Sequence, residues 1–188
     1  DNLLAADVKI IGAARSALDQ AAFVAHVREI IAKRPEGLDE AVWKRFAARL
    51  DYCQSDVASA EGLKDLAARL GGSSAVFYLA LSPSLYGAVC RALDGAGLAC
   101  GDCRIVIEKP IGHDAESSRV INGEVAAVFE EGRVFRVDHY LDKGTVQNLV
   151  ALRFANTFFE PLWNNLAIDH VQITVAETEG VGDRWPYY

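Results

Sequence analysis

Short apolar segments alternate with amphipathic segments along the first 138 residues, and this alternation limits the possible folds more than any other feature. The apolar segments predict strands at Val8–Ala14, Leu50–Ser55, Ala75–Leu81, Arg104–Glu108 and Val134–Val137. Apolar residues at helical spacing predict helices at Ala17–Lys33, Asp39–Leu50, Ala60–Leu70, Pro83–Leu93 and Ala115–Phe129. We therefore predict an α/β fold with a doubly wound parallel sheet over residues 1–138. The near-continuous apolar run at Ala75–Leu81 further predicts a strand that is covered by helices on both faces.

The pattern changes after Asp138. Thr145–Asn156 predicts a helix, and Ile168–Glu177 predicts a long strand from the alternation of Val171, Ile173 and Val175 with polar residues. We place a domain boundary between residues 138 and 139 and interpret residues 139–188 as the beginning of an α+β domain. About fifty residues cannot complete such a sheet, so we expect this second domain to be truncated.

Charge and cysteine content argue against several classes of protein. The net charge is −7 and the pI is about 5.1, whereas nucleic-acid-binding domains present a basic face. We find no apolar run near the ~18 residues of a membrane span and no signal peptide.

Cys100 and Cys103 form a CxxC pair without a second ligand pair nearby, so we predict reduced thiols in a cytoplasmic protein and no metal site. Redox or metal chemistry at this pair is the alternative.

The predicted sheet lacks the GxGxxG fingerprint of dinucleotide-binding domains. The first predicted strand instead ends in Gly12-Ala13-Ala14-Arg15. If it is the second strand of a Rossmann sheet, Arg15 lies where an arginine accommodates the 2′-phosphate of NADP. The first strand and its glycine turn are then expected before Asp1, which agrees with the absence of methionine anywhere in the chain. The alternative is a solvated arginine at a strand end.

Two polar groups follow later strands, where open α/β sheets bind ligands. Glu108-Lys109-Pro110 closes one strand, and Lys109 can meet a cofactor or a substrate oxygen while Pro110 forms a cis or hinge peptide. Asp138-His139-Tyr140, with Lys143, follows the next strand and offers donors and positive charge that suit a phosphate. The alternatives are a surface lysine and an exposed turn that is capped by Asp138.

Six motifs in this order resemble one enzyme family. They are EKPIG at 108–112, RVDHYLDK at 136–143, VQN at 146–148, LRFAN at 152–156, EPLWN at 160–164 and VQIT at 171–174. The chain resembles the glucose-6-phosphate dehydrogenase family from about Val8 to Tyr188. The resemblance implies NADP-dependent oxidation of glucose 6-phosphate to 6-phosphogluconolactone, the first step of the pentose phosphate pathway. It also implies a homodimer or homotetramer, which the large, mostly antiparallel sheet of the second domain forms.

The resemblance implies roles for residues at matching positions. On the cofactor side these are Arg15 and Ser16 at the 2′-phosphate, Asp56 and Val57 near the adenosine, Pro83 in a cofactor-side loop, and Lys109 between nicotinamide and sugar. On the substrate side they are His139, Tyr140 and Lys143 at the phosphate and Glu177 at a sugar hydroxyl. Asp138 resembles the carboxylate partner of the catalytic histidine, so Asp138 and Lys109 are the candidate catalytic residues.

The chain also departs from the family pattern. The glycine-rich GxxGDLA turn is expected before Asp1 and the catalytic histidine of a QNH block after Tyr188. Asp142 stands where glycine is usual, and Gly144 where an acidic residue is usual. One alternative is therefore a catalytically silent fragment that binds nucleotide or mediates oligomerisation. Another is a different NADP-linked dehydrogenase on a similar scaffold.

Overall fold

The computed structural model describes residue 5, residues 7–34, residues 37–174 and residue 176. The first half of the chain forms β1 (Ile10–Ala14), α1 (Gln20–Ala32), α2 (Glu40–Ala47), β2 (Leu50–Gln54), α3 (Lys64–Leu70) and β3 (Val76–Leu79). A 3₁₀ turn at Pro83–Leu85 then leads into α4 (Tyr86–Gly95), which is followed by β4 (Arg104–Glu108), α5 (Ala115–Ala126), β5 (Val134–Val137) and α6 (Gly144–Phe154). Every strand and helix predicted before residue 157 is present, most of them with shorter ends.

All strand pairs are parallel, as the alternation of strands and helices predicted. β1 pairs with β2, and β3, β4 and β5 form a second sheet in that order. Parallel strands joined by helices end at the same edge of a sheet, so the loops after the strands gather there. This is a Rossmann-like α/β arrangement, and the fold class is confirmed for this part of the chain.

A groove of about 630 Å³ lies between β1 and β3. Within the described residues, β1 pairs only with β2 and β3 pairs only with β4. Ile11 and Ala13 line the groove from β1, and Phe77 and Leu79 line it from β3. In a Rossmann sheet the first strand lies between the second and the fourth, so the groove lies where the sequence predicted a missing first strand.

The main core lies between the three-stranded sheet and helices α4 and α5. Ile105 and Ile107 of β4 are fully buried, and they lie in one cluster with Val89 of α4 and Val125 of α5. Asp114 caps α5 by accepting a hydrogen bond from the Ser117 backbone N–H. This core holds β4 and β5 side by side and thereby positions the loops that follow them.

The prediction that both faces of β3 are covered is wrong. Val76 and Tyr78 are 61% and 52% exposed, whereas Leu79 is buried. Phe135 of β5 is also largely exposed. Alternate residues of a strand face opposite sides of the sheet, and α4 and α5 cover only the side that holds Ile105 and Ile107. An apolar run does not reveal which helices reach each face.

The predicted strand at Ile168–Glu177 does not form over residues 168–174, the part of it that the structure describes without a gap. Val171 and Ile173 are 73% and 84% exposed. A strand is stable only when a neighbouring strand bonds to its backbone, and no described segment pairs with this one. Val175 and Glu177 lie outside the described residues. None of the described helices is long and apolar enough to cross a membrane.

Candidate active site

Lys109 and Asp138 meet at the carboxyl edge of the three-stranded sheet. Glu108 of β4 lies opposite Val137 of β5, so the next residue of each strand leaves the sheet at the same level. Lys109 Nζ donates a hydrogen bond to Asp138 Oδ2. The Lys109 side chain is 60% exposed and that of Asp138 only 14%. The pair therefore presents an accessible ammonium group over a sheltered carboxylate.

Asp138 is held in its ionised form by its neighbours. The hydrogen bond from Lys109 is the main cause that lowers the pKa of Asp138 below its usual value. The backbone N–H of Tyr140 donates to Asp138 Oδ1 at 3.1 Å and lowers the pKa further. A carboxylate has about four acceptor positions, so it can accept further donors besides these two.

Two tyrosines hold the end of β4 in place. The Tyr78 hydroxyl of β3 donates to Glu108 Oε1, and this bond is the main cause that raises the pKa of Tyr78 to about 12. The Tyr86 hydroxyl of α4 donates to the backbone carbonyl of Glu108 at 3.0 Å. Sequence reasoning missed both tyrosines, because nothing in the sequence shows which residues of β3 and α4 face Glu108.

The segment after Lys109 turns sharply. The Lys109–Pro110 peptide bond is cis, one of the two forms that the sequence predicted. Gly112 has a φ of +78°, and a Cβ there would lie 2.6 Å from the Ser118 backbone nitrogen. Both the backbone conformation and the close approach to α5 therefore require glycine at this position.

The loop between β5 and α6 carries the predicted phosphate-binding residues. The backbone N–H of Leu141 donates to the Asp138 carbonyl at 3.1 Å, and that of Lys143 donates to the Tyr140 carbonyl at 3.2 Å. Lys143 Nζ lies 4.5 Å from the centroid of the Tyr140 ring. His139, Tyr140 and Lys143 are all exposed. The loop thus brings a cation, a phenol and an imidazole to the surface beside the Lys109–Asp138 pair.

The predicted cofactor residues lie at the same ends of the other strands. Arg15 and Ser16 follow β1 and are exposed, and Pro83 begins the 3₁₀ turn after β3. Asp56 lies in the turn after β2, where its side chain accepts a hydrogen bond from the Ala58 backbone N–H at 3.2 Å. Gly62 lies against this turn, since a Cβ there would be 2.3 Å from the Asp56 carbonyl oxygen. Val57 lines the groove between the two sheets.

The predicted site residues thus fall into two groups. Lys109 and Asp138 are in contact, and His139, Tyr140 and Lys143 follow Asp138 in the chain. Arg15, Ser16, Asp56 and Val57 belong to the β1–β2 sheet. Arg15 has no ion-pair partner among the described residues, so its guanidinium group is available to an anion. Glu177 lies outside the described residues.

Comparison with known protein families identifies the family to which this chain belongs. Residues 1–148 match the family model described as glucose-6-phosphate dehydrogenase, NAD binding domain, and residues 150–188 match the model of its C-terminal domain. The chain belongs to the glucose-6-phosphate dehydrogenase family. Its first part is therefore the nicotinamide-dinucleotide-binding domain of that family. The resemblance stated from the sequence motifs is confirmed, whereas the boundary between residues 138 and 139 stays a prediction.

Relatives of the glucose-6-phosphate dehydrogenase family match the whole length of the chain. The glucose-6-phosphate 1-dehydrogenase of Dickeya dadantii is 47% identical over 97% of the chain and 38% of its own length. That of Mycolicibacterium smegmatis is 45% identical over 100% of the chain and 40% of its own length. The chain thus spans about two fifths of the curated relatives that it matches.

Solved structures of the same family share the fold. The crystal structure of glucose-6-phosphate 1-dehydrogenase from Mycobacterium avium matches with a TM-score of 0.80 and 37% identity, over 96% of this chain and 40% of that one. A glucose-6-phosphate dehydrogenase in complex with its substrate glucose-6-phosphate matches with a TM-score of 0.69 and 36% identity, over 84% of this chain and 35% of that one.

Proposed function

We propose that this protein oxidises glucose 6-phosphate to 6-phosphogluconolactone with NADP⁺, the first step of the pentose phosphate pathway. The observation that carries the proposal is the Lys109–Asp138 pair, which lies beside the exposed His139, Tyr140 and Lys143. Family membership supports the same reaction. Because the chain spans about two fifths of its relatives, the activity is proposed for the protein that carries all the parts of the site.

The donors at the β1 end fit a phosphorylated dinucleotide. Arg15 is exposed and has no carboxylate partner among the described residues, which suits a 2′-phosphate beside Ser16. Asp56 and Val57 are proposed at the adenosine, and Pro83 and Lys109 at the nicotinamide end. When bound, NADP⁺ supplies the acceptor for the hydride that leaves C1 of the sugar.

The loop after β5 is proposed to bind the phosphate of the sugar. Lys143 supplies positive charge, and Tyr140 and His139 supply hydrogen-bond donors. Lys143 also occupies the position before the first turn of α6, a helix of 11 residues whose N-terminal dipole favours an anion. Glu177 is proposed to bind a sugar hydroxyl. Binding of the distant phosphate group fixes C1 in position for reaction.

Asp138 and Lys109 are proposed to act on the reacting end of the sugar. Asp138 is ionised and can orient a histidine base, which takes the proton of the anomeric hydroxyl. No histidine among the described residues hydrogen-bonds to Asp138, and the proposed base is the histidine of the QNH block in the family pattern. Lys109 is exposed enough to reach a sugar oxygen while it holds Asp138.

We also propose a homodimer or homotetramer in the cytoplasm. The helix α6 supports an interface, since Leu149, Val150 and Phe154 are 49%, 57% and 59% exposed. Exposed apolar groups of this kind mark surfaces that another part of a protein covers. Light scattering after gel filtration measures the mass of the assembly.

Substrate discrimination by the purified full-length protein tests the proposed reaction. We expect reduction of NADP⁺ with glucose 6-phosphate and at least a tenfold lower kcat/KM with unphosphorylated glucose.

Lys109→Ala should lower turnover, whereas the control Lys64→Ala should not, because Lys64 is on α3 and pairs only with Glu61 among the described residues. Binding of NADP⁺ without turnover would favour a nucleotide-binding module. Equal use of both sugars would favour a different NADP-linked dehydrogenase.

A further inference from the structure

The hydroxyl group of Tyr52 lies directly behind the turn that carries Arg15 and Ser16. Tyr52 belongs to β2, and its side chain is buried, with 7% of the residue exposed. The hydroxyl donates to the backbone carbonyl of Ser16 at 2.6 Å and has the Ala14 carbonyl as a second acceptor at 3.2 Å. A side chain of one strand thus holds the backbone that follows its neighbouring strand.

Two residues at the end of β2 donate further hydrogen bonds to this turn, and the Leu18 backbone N–H donates to the Ser16 carbonyl at 3.0 Å. The Ser55 backbone N–H donates to the Ala14 carbonyl at 2.8 Å, and Gln54 Nε2 donates to the Arg15 carbonyl at 3.2 Å. Three consecutive carbonyl groups, those of residues 14, 15 and 16, therefore accept hydrogen bonds from β2 and the residue that follows it. In a planar trans peptide the N–H points opposite to the preceding carbonyl. The N–H groups of residues 15, 16 and 17 consequently point away from the donors of these bonds.

Packing of the Tyr52 ring against α1 holds its hydroxyl group at this turn. It stacks on the ring of Phe23 of α1, with centroids 4.9 Å apart and planes 29° apart. Phe23 in turn lies against Gly12 of β1, where a Cβ would be only 2.6 Å from the tip of the Phe23 ring. The glycine of β1, the phenylalanine of α1 and the tyrosine of β2 therefore form one packed support beneath the Arg15 turn.

We propose that Tyr52 is a positioning residue that sets the preference for a 2′-phosphorylated dinucleotide. This inference rests on the proposed NADP⁺-dependent function. The Tyr52 hydroxyl holds the Ser16 carbonyl towards β2, which fixes the backbone from which the Arg15 and Ser16 side chains project. Without that bond the turn samples other conformations, and Arg15 must be ordered at the moment of binding. The loss falls mainly on the phosphorylated nucleotide, because the 2′-phosphate that Arg15 is proposed to bind is absent from NAD⁺.

Titration of the full-length protein with NADP⁺ and with NAD⁺ tests the role of Tyr52. Tyr52→Phe keeps the stacked ring and removes only the hydroxyl. We expect the affinity for NADP⁺ to fall about fivefold to tenfold, as for the loss of a buried hydrogen bond, and the affinity for NAD⁺ to change less than about twofold. Amide hydrogen exchange at residues 15–18 should become faster in this variant. In the background of Arg15→Ala, the same substitution should change NADP⁺ affinity less than about twofold.

Ser55→Ala is the matched control. Ser55 directly follows β2 and is also buried, but its hydroxyl donates to the Gly62 carbonyl at 2.7 Å and not to the turn. This variant should keep the preference for NADP⁺ whatever it does to the melting temperature. Equal losses of NADP⁺ and NAD⁺ affinity in Tyr52→Phe, or no loss of either, would overturn the inference while leaving NADP⁺ use intact. A wild-type protein without preference for NADP⁺ would overturn the inference and the proposed cofactor together.

Discussion

Lys109 Nζ at the end of β4 donates a hydrogen bond to Asp138 Oδ2 at the end of β5, across two neighbouring parallel strands. The contact joins two sequence motifs that are 29 residues apart in the chain. It places the cation of one motif over the carboxylate of the other and keeps Asp138 ionised. In the proposed reaction this pair lies where the cofactor and the sugar meet.

Removal of the Asp138 charge should lower turnover more than substrate binding. In Asp138→Asn the side chain keeps its size but no longer stabilises a protonated histidine base. We expect kcat to fall about 100-fold or more, with the KM for glucose 6-phosphate within about threefold of its original value. Steady-state kinetics measure both. A large rise in KM at unchanged kcat would contradict the proposed role of Asp138.

Removal of the Lys143 charge should have the opposite effect. Lys143→Ala removes a charged donor from the proposed phosphate site, so the KM for glucose 6-phosphate should rise about tenfold to a hundredfold at nearly constant kcat. The control Lys64→Ala removes an exposed lysine from α3 and should leave KM unchanged. If Lys143→Ala weakened the use of unphosphorylated glucose equally, Lys143 would have no specific contact with the phosphate.

Replacement of Asp142 should improve substrate binding. Asp142 is exposed and adjacent to Lys143, so its carboxylate should repel a phosphate at the proposed site. Asp142→Gly should lower the KM for glucose 6-phosphate about twofold to fivefold, and the gain should shrink at high salt. Asp102→Gly removes a carboxylate from the exposed loop before β4 and serves as the control. An equal gain in both variants would indicate a general effect of net charge.

The contribution of the Lys109–Asp138 pair to stability should depend on pH. The lowered pKa of Asp138 means that the unfolded state binds its proton more readily than the folded state. The pair therefore stabilises the fold above the usual pKa of an aspartate, and this stabilisation is lost as the pH falls through the lowered pKa. Lys109→Met should destabilise the protein at neutral pH and less so in acid, as measured by urea unfolding. If the loss of unfolding free energy in Lys109→Met stayed constant with pH, the packing of the lysine side chain and not its charge would be the cause.

The cysteines should differ in reactivity. Burial raises the pKa of Cys53 and of Cys90 to about 11, whereas Cys100 is exposed. Because the thiolate is the nucleophile, iodoacetamide at mildly alkaline pH should modify Cys100 first and leave Cys53 and Cys90 unmodified until the protein unfolds. Mass spectrometry of the digested protein identifies the modified residues. Early modification of Cys53 would mean that β2 opens in the native state.

The helices and strands before residue 157 could be predicted because each has a strong local pattern. The start of α5 also follows from local chemistry, because Asp114 caps it and aspartate is a favoured residue at that position. The exposure of Val76 and Tyr78 could not be predicted, since an apolar run does not show which helices pack on each face. The strand predicted at Ile168–Glu177 depends on a neighbouring strand, and its own sequence carries no information about one.

The candidate site could be predicted in part. Residues that follow parallel strands lie at one edge of the sheet, and this rule identified Arg15, Lys109 and Asp138 from the sequence. The contact between Lys109 and Asp138 depends on strand order and register, which a single sequence does not specify. The supporting tyrosines were missed for this reason, because Tyr52 and Tyr78 act across strands.

Transfer of deuterium from C1 of the sugar to the dinucleotide tests the proposed reaction. The full-length protein is incubated with NADP⁺ and glucose 6-phosphate that carries deuterium at C1, and the reduced dinucleotide is examined by mass spectrometry. We expect each reduced dinucleotide to gain one deuterium and Asp138→Asn to slow this transfer without redirecting it. Reduced dinucleotide that contains no deuterium, or no reduction with this sugar, would contradict the claim.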